Sequence, residues 1–209
     1  VGPSGVGKTT SAVRCVLSAL ERGERATYYL FDEGMGTLLT RSGALGMDIG
    51  SHIESGALTI HQIDPAELSP GEFTTMVRDA VEAGTRFLAV DSLNAYLQSM
   101  PGEQFLILQM HELLNYLNQQ GVTTMLILGQ HGVIGDMRTD VDLSYLSDAI
   151  LLFRFFESGG EVRTAISSVK SRVAAHERTI REFKLGPGGL QVGEALTDFE
   201  GVLGGLPSY

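Results

Sequence analysis

Gly2-Pro3-Ser4-Gly5-Val6-Gly7-Lys8-Thr9 satisfies the pattern G-x-x-x-x-G-K-[ST] and runs directly into a helical period, the context this motif requires. From Thr10 to Leu20 the apolar residues Ala12, Val13, Val16, Leu17 and Leu20 recur at helical spacing, and Gly23 follows where a helix stops. Glycines let successive main-chain N–H groups converge as an anion nest, to which the helix N-terminus adds partial positive charge. Lys8 is spaced to reach the β and γ phosphates of a nucleotide, and the Thr9 hydroxyl to coordinate Mg2+. The stretch predicts a phosphate-binding loop opening the first helix. No strand precedes it and the first residue is Val, so the expectation is a segment whose first strand lies upstream.

Outward from the loop, apolar strands alternate with helical periods. Ala26 to Phe31 is a β-prone run ending in Asp32-Glu33-Gly34, followed by a weaker helix from about Thr37 to Leu45 and a strand from Leu58 to Ile63. Ser69-Pro70-Gly71-Glu72 carries the N-cap, N1 proline and N3 acid of a capping box, and Gly84 ends the helix it opens. Arg86 to Asp91 is a strand closing on a carboxylate, Glu103 to Gln120 a helix, and Val122 to Leu128 another buried strand leading to Gly129-Gln130-His131-Gly132. This alternation predicts an α/β fold with a mainly parallel sheet covered on both faces. After Asp148 the pattern becomes β only, with hairpins over Ile150–Phe156, Val162–Lys170, Thr179–Leu185 and Leu190–Val192. The expectation is one domain over 1–196 and a tail, 197–209, without a clear element.

Composition narrows the function. With 43% apolar and 19% charged residues, 209 residues build a core without disulfide or metal staples. The single Cys15 cannot form an internal bridge and fits a reducing compartment, so a cytoplasmic protein is expected. No apolar run reaches the ~18 residues of a membrane helix. A net charge of −10 repels phosphodiester backbones and anionic lipid, which lowers the expectation of a nucleic-acid partner. The five histidines show no ligand spacing.

The chemistry needs more than the loop. Asp91, ending an apolar strand before Ser92, has the form of the carboxylate that holds the metal shell. Glu33, with Asp32 beside it, ends a strand on the same edge of the sheet, where an open α/β fold binds its ligand. It is the candidate for orienting and deprotonating an attacking water. Gln130 could hydrogen-bond the γ phosphate or that water, or be an ordinary loop amide. Lys170 and Arg172, far along the chain, are candidates for reaching a neighbouring subunit's nucleotide, or are solvated cations.

Gly2 to Thr10, Phe31-Asp32-Glu33, Val90-Asp91-Ser92-Leu93-Asn94, and Lys170-Ser171-Arg172 with His176 and Ile180-Arg181-Glu182-Phe183 together resemble the KaiC family of RecA-like P-loop ATPases over nearly the whole chain. The resemblance implies a RecA-like P-loop NTPase domain, the last of a tandem protein, with ATP as substrate and Mg2+ as its ion. It also implies a hexameric ring with ATP between subunits, a nucleotide site extending through Thr10, catalytic Glu33 with Asp32, and Lys170, Arg172 and His176 acting on the adjacent subunit's nucleotide. Val173-Ala174-Ala175 departs from the small polar stretch the family carries there. Ser144-Tyr145 stands where the family's clock protein has an autophosphorylated Ser-Thr pair, so the resemblance permits serine autokinase activity at Ser144 and a signalling or clock-like role with an unidentified protein partner. A nucleotide-gated interaction module with negligible turnover is the alternative. A RecA-like DNA-binding recombinase is another, and the net acidity weighs against it.

Overall fold

The computed structural model describes residues 1–64, 66–98, 106–130, 132, 146–172 and 175–204. In chain order the elements are β1 (Gly2–Pro3), α1 (Lys8–Glu21), β2 (Arg25–Leu30), α2 (Met35–Ala44), α3 (Gly50–Glu54), β3 (Leu58–Gln62) and α4 (Pro70–Glu82). Then come β4 (Thr85–Asp91), α5 (Leu93–Gln98), α6 (Leu106–Gln119), β5 (Thr123–Ile127), β6 (Gly129–Gln130), β7 (Ala149–Ser158), β8 (Glu161–Ser171), β9 (Arg181–Gly186) and β10 (Gly189–Ala195). They form two compact units, one of Ser11–Leu128 and one of Val1–Thr10 with Gly129–Tyr209.

The Ser11–Leu128 unit is a four-stranded parallel sheet in the order β3-β2-β4-β5. Strand β2 explains its two-sided cover. Ala26, Tyr28 and Leu30 join one core with Ala12, Val13, Val16, Leu17 and Leu20 of α1 and Leu38 of α2. The alternate residues of the run turn to the other side, where the Tyr29 and Phe31 rings meet Phe73 of α4 edge-on at 5.2 and 5.6 Å, and Phe31 meets Tyr96 of α5 at 5.7 Å. A strand buried on both faces reads as continuously apolar rather than alternating, as this run does. Leu106, Met110, Leu113 and Leu117 supply the buried stripe of α6, which packs on β5.

In the other unit β1 pairs with β6 in parallel, Gly2 opposite Gly129 and Pro3 opposite Gln130, and the Phe153 N–H of β7 donates to the Val1 carbonyl at 2.8 Å. Strands β7 to β10 form an antiparallel sheet in the order β10-β9-β8-β7. Between β7 and β8 the two-residue loop Gly159-Gly160 has φ of 62° and 78°, the paired positive values that a tight hairpin turn of matching twist demands. The predicted parallel sheet flanked by helices and the C-terminal hairpins are thus both present.

Several features depart from the sequence reading. Gly2–Pro3, where no strand is read ahead of the loop, form the two-residue strand β1 paired with β6. Helices α3 and α5, of five and six residues, are too short to display a period. The tail contains a 3-10 turn, Val202–Gly204, and it is anchored: Val202 is buried against Phe156 and Ala165.

The predicted capping box on α4 is complete. Ser69 Oγ accepts from the Glu72 N–H at 3.3 Å, and Glu72 Oε2 accepts from the Ser69 N–H at 2.9 Å and its hydroxyl at 2.6 Å. The Ser69 hydroxyl and then its backbone N–H hold the Glu72 carboxyl below its usual range. A lowered native-state value means that this stabilisation is full above the ordinary glutamate range and is lost as pH falls through the native-state value. Ser69→Ala should destabilise the fold by about 1 kcal/mol at pH 7 in urea unfolding, with the gap to wild type narrowing as acid protonates Glu72 in the native state.

Candidate functional site

The loop after β1 is shaped by its glycines. Gly7 has φ of +101°, and a Cβ there would lie 2.9 Å from Leu185 Cδ1. A Cβ on Gly2 would stand 2.6 Å from the Phe153 carbonyl oxygen, so β1 can lie against β7 only without a side chain at that point. Val6, at a position the motif leaves unspecified, is 1% exposed and packs with Phe153 and Phe183. Ser4 and Gly5 are exposed, Lys8 and Thr9 half-buried and Thr10 buried. Lys8 Nζ donates to the Pro3 carbonyl at 2.6 Å, folding the ammonium across its own loop. The 14-residue helix that follows has no acidic residue in its first turn, so the positive end of its dipole is not offset there. This arrangement can accept a polyanion.

Strand register sets Gln130 opposite Pro3. Its Oε1 accepts from Arg154 Nη1 at 2.5 Å, while Arg154 Nε donates to the Leu203 carbonyl at 3.1 Å. Arg154 is 9% exposed, and burial pulls its pKa down. A charge inside the apolar run Leu151-Leu152-Phe153-Arg154-Phe155-Phe156 is the signal that could have singled it out, since a buried guanidinium must find acceptors.

The acids lie in the Ser11–Leu128 unit. Register pairs Leu30 with Asp91, and the Phe31 N–H donates to the Asp91 carbonyl at 2.7 Å, which brings Asp32-Glu33 and Asp91-Ser92 to one strand edge. Asp91 is 6% exposed and its Oδ2 accepts from the Tyr28 hydroxyl at 2.9 Å. Burial, and next the Asp91 charge, drive the Tyr28 phenol well above its ordinary range, so it remains a donor. The Ser92 hydroxyl donates to Asp32 Oδ2. Glu33 is gripped at both oxygens by Arg41, with Nη1 to Oε2 at 3.0 Å and Nη2 to Oε1 at 2.6 Å. Gln62, ending β3, accepts from the Met35 N–H at 3.0 Å and so pins the start of α2 behind the acids. Sequence reading brings Asp32, Glu33 and Asp91 to this edge correctly, but it misses Tyr28, Arg41 and Ser92 as their partners.

Lys170 Nζ donates to the Ser147 carbonyl at 2.7 Å. The Arg172 N–H donates to the Asp148 carbonyl at 2.8 Å, while its guanidinium, half-exposed, stands 3.7 Å from Asp148 Oδ1. His176 is half-buried. Ser144 lies outside the described residues.

Among the described residues no group of three or more His, Cys, Asp or Glu is arranged to hold a metal ion. The Thr9 hydroxyl and Asp91 carboxylate are oxygen donors of the hard type that Mg2+ prefers, an ion that keeps waters and substrate phosphates in its shell. A cavity of about 800 Å³ bounded by α4, β2 and β3 is lined by Arg25, Thr27, Thr59, His61, Met76 and Asp79 among others, and none of the candidate residues faces it. Among the described residues no helix is long and apolar enough to cross a membrane.

Residues 1–197 match the family described as "ATPase: KaiC". The chain is 27% identical over 215 residues to the circadian clock protein KaiC3 of Synechocystis sp., covering 100% of this chain and 41% of the relative. It is 26% identical over 217 residues to the circadian clock oscillator protein KaiC of Synechococcus elongatus (99% of this chain, 40% of the relative). Against KaiC of Prochlorococcus marinus it is 28% identical over 216 residues (99% and 41%). The chain therefore spans about 40% of the length of these relatives.

The bond between Tyr28 and Asp91 can be tested without reference to activity. Tyr28→Phe removes a donor from a buried carboxylate and should lower stability by about 1–3 kcal/mol, read as a shift of the urea midpoint; an unchanged midpoint would show that Asp91 does not depend on it.

Proposed function

Because this chain belongs to the KaiC family of ATPases, a P-loop family that binds nucleotide, we propose that it binds ATP on Gly2, Pro3, Ser4, Gly5, Val6, Gly7, Lys8, Thr9 and Thr10 and hydrolyses it with Glu33 as general base. The observation that carries this reading is the loop itself: positive φ at Gly5 and Gly7, an ammonium folded across it, and an acid-free helix N-terminus behind it. Main-chain N–H groups and Lys8 would take up the phosphates' charge. Thr9 and Asp91 would hold Mg2+, which when bound withdraws charge from the transferring phosphoryl group.

Glu33 would take the proton of the attacking water as its oxygen bonds to the γ phosphorus and the bond to the bridging oxygen breaks, releasing ADP and phosphate. Asp32, held by Ser92, would support it, and Gln130 would contact the γ phosphate or the water. Lys170 and Arg172 would act on the nucleotide of an adjacent subunit in a homohexameric ring, an effect on rate of about 10³ to 10⁵ where such a cation stabilises transition-state charge. The half-exposed Arg172 guanidinium suits that task. The same site would pass the γ phosphoryl group to a serine hydroxyl in place of water, with Ser144 as the acceptor. Residues 1–196 are read as one ATPase domain and 197–209 as its tail. The relatives' names place them in circadian clocks, and for this chain a cytoplasmic regulatory role with a protein partner is proposed by that analogy.

In the full-length protein, Glu33→Gln should abolish phosphate release while leaving equilibrium ATP binding within about two-fold, because only the proton acceptor is lost. Turnover equal to wild type would remove Glu33 from the mechanism.

A further inference from the structure

Glu33, the general base of the reading above, is not presented as a free carboxylate. It leaves β2 just ahead of α2, and Arg41 lies in the last turn of that helix. Side chains on a helix lean toward its N-terminus, so Arg41 reaches back along α2 to where Glu33 sits. The guanidinium donates to both oxygens of Glu33, at 3.0 and 2.6 Å. The neighbouring acids are held differently: Asp32 accepts from the Ser92 hydroxyl and Asp91 from the Tyr28 hydroxyl.

A general base must bring a carboxylate oxygen within about 2.6–3.2 Å of the water it deprotonates. In the paired arrangement the fork of two N–H donors fills the inward lone pairs of both oxygens, the sites that bidentate recognition uses. We infer that Arg41 is a latch: a positioning residue that holds Glu33 in a resting arrangement, from which it must be released before each hydrolysis. The inference rests on the reading of Glu33 as the base.

The latch is light enough to open. The Glu33 and Arg41 side chains are 20% and 38% exposed, and a partly exposed pair with bidentate geometry favours its closed form by about five-fold, the upper end for such pairs. If turnover scales with the fraction of Glu33 that is released, removing the guanidinium should raise kcat by about five- to six-fold. A guanidinium that instead aimed Glu33 at the water would give the opposite sign.

The test uses the full-length protein with Arg41→Ala and Arg41→Lys, measuring kcat and KM for MgATP alongside thermal midpoints. The latch predicts kcat about five- to six-fold above wild type for the alanine variant with KM unchanged. The lysine variant should fall between, since one ammonium cannot reproduce the fork. Raising salt at saturating ATP should lift wild-type kcat toward the alanine variant, by screening the pair, and leave that variant's kcat flat. A kcat at or below wild type with KM unchanged overturns the latch. If the alanine variant does not fold, Arg41→Gln, which keeps part of the aliphatic stem without the charge, is read by the same criteria. Glu33→Gln assayed in parallel separates the two claims: lost turnover there with no gain at Arg41 refutes the latch alone, whereas retained turnover at Glu33→Gln refutes the base and the latch with it.

Discussion

The ATP-binding reading of this chain depends on the backbone conformation of the loop between β1 and α1. A peptide loop can present several donors to one anion only if its backbone alternates between conformations that ordinary residues share and one that glycine alone adopts without strain. Gly5 and Gly7 supply that conformation. Gly2 does something different, allowing the strand before the loop to approach the Phe153 carbonyl closely. Val6 then ties the loop to the core through Phe153 and Phe183. The loop is therefore held by packing as well as by glycine, and a loop ordered in advance loses less freedom on binding a ligand.

A second constraint acts at the strand edge where the acids collect. Parallel strands buried on both faces leave polar side chains few places to go, and the carboxyl ends are where they emerge. Register brings Asp32-Glu33 and Asp91-Ser92 to that edge, where buried Asp91, partly buried Glu33 and exposed Asp32 each accept from a donor. The donors differ in kind. Hydroxyls serve Asp91 and Asp32, whereas Glu33 meets a cation. A neutral donor leaves a carboxylate able to engage a metal shell, while a cation matched to both oxygens competes with any other partner. The chemistry open to each acid is thus set by its neighbour as much as by its place on the strand.

The backbone plan is largely legible in the residues. The loop motif, the continuous apolar run of β2, the Ser69-Pro70-Gly71-Glu72 cap and the Gly159-Gly160 turn each carry a local signal whose physics does not depend on the rest of the fold. Helices α3 and α5 escape because one and a half turns show no period. The partners of the candidate acids escape for another reason: Tyr28 with Asp91 and Ser92 with Asp32 are 63 and 60 residues apart, and such pairs exist only once strand register is known. Arg41 is nearer, yet its spacing of eight from Glu33 becomes a contact only through a helix that begins between them. Arg154, a charge inside the apolar run Leu151–Phe156, and Tyr28, a phenol in a buried strand, were readable as groups that must find partners, though not which partners.

Belonging to the KaiC family of ATPases makes a nucleotide the ligand to test on the loop. Calorimetric titration of ATP with Mg2+ into the full-length protein, beside the Lys8→Ala variant, addresses that claim most directly. The wild type is expected to give a saturable heat of binding that the variant loses or loses in large part. Absence of heat in the wild type, or the same binding curve in both proteins, would contradict it.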